Sequence, residues 1–309
     1  MERLVMNQSL LKSSDWKGIW TALITPLTAE STLDERGLAA LIENQIRGGI
    51  HGLVIAGSTG EGSLLSSATY ERLLHKSIEI ASGRIPCVAG LGIRGTDSCL
   101  RLLAIAKKVG MQGVLASTPA YIKAPQRGLV THFLKIAQGG LPVCLYEIPS
   151  RAGSSLQDAT IAEIVRHPDA ERVVALKDAS GDLSRVKNHR RDLGDRLALL
   201  SGDDPFFFDY LRGGGDGLIS VASHIALPAL KKILASFQMA DFEKAESIQK
   251  TLAPLIEGLF WESNPVPVKS VLAKIRAIPE ANFCAPLCAM KPELLEKLEG
   301  LVRQAETIQ

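Results

Sequence analysis

Short apolar runs and amphipathic segments alternate along this chain from Gly18 onward. The apolar runs cover 18–27, 52–57, 86–92, 113–119, 142–148, 172–177, 197–202 and 217–221, and turn residues break each one. Runs of that kind predict parallel strands buried on both faces. Between them lie segments with helical spacing, such as 34–48, 68–82, 97–109 and 156–166, several opened by Ser, Thr or Asp caps. Strand ends recur about every 18 to 35 residues, the size of a βα unit. Eight strands alternating with eight helices predict an α/β fold, a (β/α)8 TIM barrel rather than an open doubly wound sheet. From about residue 241 only helical patterns remain. The predicted division is therefore an N-terminal extension (1–17, frayed), a barrel (18–240) and a C-terminal helical domain (241–309).

In such a barrel the chemistry sits at the C-terminal ends of the strands. The sixth run, Val173-Val174-Ala175-Leu176-Lys177, ends in a lysine just before Asp178-Ala179-Ser180-Gly181. A period of two puts Val173, Ala175 and Lys177 on one face and Asp178 on the other. A lone strand-end lysine commonly snorkels to water. A nucleophilic lysine instead needs burial to favour its neutral form. The neighbouring run ends Leu145-Tyr146-Glu147-Ile148-Pro149-Ser150-Arg151. Adjacent strands lie about 4.8 Å apart, so Tyr146 can stand beside Lys177. Ala56-Gly57-Ser58-Thr59-Gly60-Glu61 ends the second run. Backbone amides of such a turn can hold a carboxylate. Thr118-Pro119-Ala120-Tyr121 ends the fourth. Each piece alone is ordinary; together they put lysine, tyrosine, hydroxyls and arginine on one rim.

Composition narrows the choices. The chain has 309 residues, 46% of them apolar, and a formal charge of +2, which argues against nucleic acid or an anionic membrane as the main partner. Five scattered cysteines predict free thiols in a reducing, cytoplasmic setting. Cys284 and Cys288 have no histidine nearby to complete a zinc site, and no metal is expected. Gly90-Leu91-Gly92-Ile93-Arg94-Gly95 fits the GxGxxG pattern, but no Asp or Glu occurs between Asp97 and Glu147 to hold a ribose. NAD is not expected, and neither is any other cofactor.

These motifs together resemble the dihydrodipicolinate synthase / N-acetylneuraminate lyase family of class I aldolases, from about residue 18 to 289. The landmarks are Gly57-Ser58-Thr59-Gly60-Glu61, Tyr146 with Pro149, Lys177, Ser201-Gly202-Asp203-Asp204 and Gly217-Leu218-Ile219-Ser220-Val221. The resemblance implies that Lys177 forms a Schiff base with pyruvate and that Tyr146 moves protons. It implies that Ser58 and Thr59 hold the pyruvate carboxylate, with Ser58 in a proton relay that Tyr121 of a neighbouring subunit completes. Gly202 and Ile219 would line the pyruvate pocket. Arg151, the segment after Lys177 and Glu262-Ser263-Asn264-Pro265-Val266-Pro267-Val268-Lys269 favour the synthase branch. There Arg151 grips the carboxylate of L-aspartate 4-semialdehyde, and the product, 4-hydroxy-tetrahydrodipicolinate, leads to diaminopimelate and lysine. The resemblance also implies a homotetramer, a dimer of dimers.

Some positions depart from the synthase pattern. Ser58 stands for the usual threonine, Glu147 for an asparagine, which adds a charge beside the site, and Ala120 and Ile122 for a tyrosine and an asparagine. Another pyruvate aldolase, of the N-acetylneuraminate lyase or 4-hydroxy-2-oxoglutarate aldolase type, remains an alternative reading, as does a barrel kept only for ligand binding. Ser67, Tyr70, Arg94, Ser98 and Ala120 occupy the positions where inhibited relatives hold lysine. They lack an acid for its ammonium, so free lysine is not expected to inhibit.

Overall fold

The structure, a computed structural model, describes residues 10–306. Residues 1–9 of the predicted extension, and 307–309, lie outside the described residues. Eight strands form a closed, wholly parallel barrel: β1 (Gly18–Ala22), β2 (Gly52–Ile55), β3 (Cys87–Gly90), β4 (Gly113–Ser117), β5 (Val143–Glu147), β6 (Val173–Asp178), β7 (Ala198–Ser201) and β8 (Gly217–Ser220). Strand β8 closes the ring on β1, with Ile219 opposite Trp20. Every strand residue is buried, as parallel strands with covered faces require.

The outer layer is α1 (Glu35–Gly48), α2 (Ser67–Ala81), α3 (Thr96–Val109), α4 (Gln126–Ala137), α5 (Pro149–Ala152), α6 (Asp158–Arg166), α7 (Leu183–Leu193), α8 (Phe207–Arg212) and α9 (Ser223–Gln238). The predicted caps operate. Asp34 accepts from the N–H groups of Arg36 and Gly37 at the start of α1, and Gly49 ends that helix in the left-handed conformation. Such a cap is worth about 1 kcal/mol. Three more helices follow, α10 (Phe242–Gly258), α11 (Val266–Lys274) and α12 (Pro292–Glu306), and residues of all three join the core shared with the barrel helices. Among the described residues no helix is long and apolar enough to cross a membrane.

Two expectations change. The last turn of the N-terminal extension is not frayed. Residues Ser13–Trp16 form a 3-10 turn, and Trp16, fully buried, stacks on Trp20 with ring centroids 4.7 Å apart. The Trp20 indole N–H also donates to the Trp16 carbonyl at 2.8 Å. Both rings join the barrel's own interior cluster with Val54, Val88 and Leu115. A closed barrel leaves its lower mouth open to water unless something apolar fills it, and here the chain uses the residues just before β1. The face assignment in β6 also shifts by one residue. The β5–β6 ladder runs Val143↔Val173 and then Cys144↔Ala175, so a bulge absorbs Val174. Val173 packs with the outer helices while Val174 and Ala175 pack inside. One extra residue reverses the alternation behind it, a feature that hydrophobic pattern alone does not reveal.

Candidate active site at the barrel mouth

Lys177 and Tyr146 are register partners at the C-terminal ends of β6 and β5. The Lys177 Nζ lies 4.2 Å from the centre of the Tyr146 ring. Only 5% of Lys177 and 6% of Tyr146 is exposed, so the amine does not snorkel into bulk water. Ile219 is fully buried in the same interior cluster as Tyr146. Gly202, after β7, donates its N–H to the Asp178 carbonyl at 2.6 Å; a Cβ there would stand 2.6 Å from that of Ala179. The close approach of these two loops therefore needs glycine. Burial pushes the neighbouring Asp203 carboxyl up to about 6, against the pull of the Lys177 charge.

The turn after β2 is folded back on the barrel rim. The N–H of Glu61 donates to the Ser58 carbonyl and that of Gly62 to the Gly57 carbonyl, both at 3.1 Å. The Thr25 hydroxyl donates to the Gly60 carbonyl at 2.7 Å. Thr59 is buried and its hydroxyl accepts from the Asn264 amide at 3.0 Å, whereas Ser58 is half-buried. The carbonyl of the same Asn264 accepts from an Arg151 Nη at 2.8 Å. Thr59 and Arg151, 92 residues apart in the chain, are thus linked through one asparagine just before α11. Tyr121 is not brought to this group within the chain. It projects outward, 94% exposed, from a backbone at φ +74°.

Glu147 is not beside the mouth. It follows Tyr146 on β5 and so points to the opposite face, where its Oε2 accepts from the Leu156 N–H at 2.8 Å and its Oε1 has no partner. Burial pushes its carboxyl up to about 7. Asp178 shares that outer face, paired with Arg185 at 2.9 Å. Arg185 in turn reaches Asp158 at 2.8 Å. Lys177 and Asp178 thus stand on opposite faces of one strand.

Several residues quoted as landmarks without a role prove to hold the site together. Asp204, fully buried, accepts from the Ser220 hydroxyl and from the Val221 N–H at 2.9 Å, which fixes the end of β8 beyond Ile219. Glu61 pairs with Lys269 at 2.5 Å, both side chains wholly buried. One signal for Lys269 was present: it is a single charge inside Val266-Pro267-Val268-Lys269-Ser270-Val271-Leu272. Among the described residues no group of three His, Cys, Asp or Glu side chains could hold a metal ion. The GxGxxG segment is a plain loop between β3 and α3; its Arg94 donates to the Ser63 carbonyl at 2.9 Å.

Residues 15–305 match the Dihydrodipicolinate synthetase family. The chain belongs to that family. It is 40% identical over 293 residues to the 4-hydroxy-tetrahydrodipicolinate synthase of Stenotrophomonas maltophilia (strain R551-3), covering 94% of this chain and 98% of the relative. The 4-hydroxy-tetrahydrodipicolinate synthase of Methylacidiphilum fumariolicum SolV superposes with a TM-score of 0.90 at 33% identity, over 94% of this chain and 96% of that one. The chloride-inhibited dihydrodipicolinate synthase of Acinetobacter baumannii, solved in complex with pyruvate, gives 0.89 at 33% identity, over 94% and 99%. The barrel, its C-terminal helices and the family's class I aldolase-type chemistry are therefore common ground between this chain and its relatives.

Proposed function

We propose that this chain is a 4-hydroxy-tetrahydrodipicolinate synthase, in which Lys177 carries pyruvate as a Schiff base and presents it to L-aspartate 4-semialdehyde. The observation that carries the assignment of the amine is the Lys177 Nζ, buried at the mouth and 4.2 Å above the Tyr146 ring. The neutral amine attacks the ketone carbon, water leaves, and the protonated imine acidifies the methyl group. That group gives up a proton to the Tyr146 oxygen while its C–H electron pair forms the enamine double bond. The resulting enamine carbon bonds to the aldehyde carbon, and the aldehyde oxygen takes up a proton. The amino group of the semialdehyde then displaces Lys177 from the imine carbon, closing a ring and freeing the enzyme. Over the cycle one water is lost and no electrons are exchanged.

Proton traffic falls to Tyr146, whose phenol is better matched to amine and carbinolamine protons than a carboxylate would be. Ser58 and Thr59, with the amides of their turn, hold the pyruvate carboxylate. Gly202 and Ile219 shape the pocket, and Arg151 holds the carboxylate of the semialdehyde through its guanidinium fork. Tyr121 completes the relay of a second subunit. Its full exposure on a left-handed backbone supports this, since neither its own packing nor an easy conformation accounts for it. The working enzyme is accordingly a homo-oligomer, a dimer of dimers. The buried free thiols of Cys87, Cys99 and Cys144 suit a cytoplasmic location.

Incubation with pyruvate and borohydride, followed by mass mapping, tests the core of this reading: the adduct is expected on Lys177 and absent from Lys177→Ala. An adduct elsewhere refutes it. A coupled assay with L-aspartate 4-semialdehyde against N-acetylmannosamine and glyoxylate tests the second substrate, with turnover expected only for the first. The shared tyrosine has its own test. Co-expressed Lys177→Ala and Tyr121→Phe chains should recover roughly a quarter of wild-type activity through mixed dimers, because each such dimer holds one intact site. Mixtures no more active than the separate variants count against it.

A further inference from the structure

The turn that carries Ser58 and Thr59 is short, strained and anchored from outside. Glu61 sits at φ +57°, a left-handed conformation that disfavours any residue but glycine. Gly60 and Gly62 on either side have no room for a side chain: a Cβ on Gly62 would fall 1.8 Å from the Ala56 carbonyl oxygen, and one on Gly60 2.9 Å from that of Leu23. The backbone is therefore pressed flat against the ends of β1 and β2. Glu61 itself closes the turn, through the N–H it donates to the Ser58 carbonyl.

The side chain of Glu61 points away from the mouth, to the C-terminal helices. Its Oε1 meets Lys269 Nζ at 2.5 Å and its Oε2 accepts from the Cys284 N–H at 2.8 Å. Lys269 donates a second hydrogen bond to the Asn282 carbonyl at 2.5 Å and lies 5.0 Å from the Phe283 ring. These contacts thus tie the turn to α11 and to the loop after it, both more than 200 residues further along the chain. A buried ion pair is a poor source of stability, because desolvation of both charges offsets most of their attraction. It is a good source of position: its short, directional contacts fix where two elements stand relative to each other, and removing one partner strands the other charge.

We propose that the Glu61–Lys269 pair is a positioning device for the pyruvate carboxylate, setting the Ser58–Thr59 turn against α11 so that its amides and hydroxyls face the mouth. This rests on the reading that Ser58 and Thr59 hold that carboxylate. Neither Glu61 nor Lys269 touches substrate; they act through the turn. Arg151 is held by the Asn264 backbone carbonyl, which neither member of the pair touches, so its grip on the second substrate should change less than the turn does.

The test is the neutral pair Glu61→Gln with Lys269→Met, which removes both charges, leaves an acceptor for the Cys284 N–H and keeps the volume. Replacing a buried pair in this way is often neutral for stability, so the protein should stay folded by thermal melting. KM for pyruvate is expected to rise about tenfold, with kcat and the KM for L-aspartate 4-semialdehyde within threefold of wild type. Borohydride trapping on Lys177 should need correspondingly more pyruvate. A folded neutral pair with wild-type pyruvate KM overturns the proposal, and so does a parallel rise in both KM values with a fall in kcat, which marks general loosening. If the neutral pair does not fold, Glu61→Asp decides by the same readout. It keeps the charge beside Lys269 but, one methylene shorter, cannot reach both Lys269 and the Cys284 N–H from the same backbone. Wild-type protein is the control. If it shows no pyruvate adduct on Lys177, the underlying reading fails and the proposal fails with it.

Discussion

Two lysines are buried among the described residues, and their surroundings differ in kind. Lys269 is wholly buried and sits on a carboxylate; burial lowers its pKa while Glu61 pushes it back up. Lys177 is buried at the mouth and sits over a phenol ring. An amine held by a carboxylate keeps its proton and serves as a peg. In the proposed mechanism an amine facing a ring that can also exchange protons attacks a ketone. Burial alone does not make a nucleophile; the partner decides. Glu147 adds a third case, a buried charge with one oxygen unpartnered, and burial carries it toward the neutral form.

Replacing the proposed nucleophile should separate the two most sharply. Lys177→Met is expected to lower kcat about 10⁴-fold and abolish the borohydride adduct, while Lys269 stays unlabelled in every variant. Labelling of Lys269 would break the comparison. Next in size is the ring beside that amine. Tyr146→Phe keeps the ring beneath Lys177 but removes its proton, and kcat should fall about 10²-fold; a loss of less than threefold would make the phenol a packing group only.

The unpartnered carboxylate predicts a smaller, pH-dependent effect. Burial moves Glu147 from 4.5 up to about 7, so between those values the folded chain holds a proton that the unfolded chain releases. Stability contributed by the protonated form is present below about 4.5 and is lost as pH rises through 7. Glu147→Gln should remove that slope and be more stable than wild type at pH 8 by about 2 kcal/mol. Denaturant melts at pH 5 and pH 8 check it; equal slopes in both proteins would mean that Arg185 already neutralises the charge. The last expectation is no effect at all. Tyr70 is buried and donates its hydroxyl to the Gly90 carbonyl at 3.0 Å, and Arg94 brings positive charge to the same neighbourhood. Initial rates should not change with millimolar L-lysine, and a saturable fall would show that an ammonium is accepted after all.

Local patterning along the chain determined a good deal of this. All eight strands begin within one residue of where the apolar runs place them, because buried parallel strands need continuous apolar runs and turn residues must follow. Lys177 beside Tyr146 was also legible, since both end neighbouring strands. Tyr121 became meaningful only through family resemblance; nothing in Ala120-Tyr121-Ile122 says that the side chain points out of the chain.

Tertiary structure alone decided the rest. The bulge at Val174 moved Val173 to the outer face, because register is settled between strands and not within one. Trp16 became the barrel floor because ring closure created a mouth that needed filling. Glu147 turned away from the site because β5 alternates once Tyr146 is committed inward. Glu61 found Lys269, 208 positions on, because only the closed barrel brings the second strand's turn to the C-terminal helices. Residue type and spacing set which elements form; which distant charges meet depends on the summed geometry of every element between them, and no local pattern carries that information.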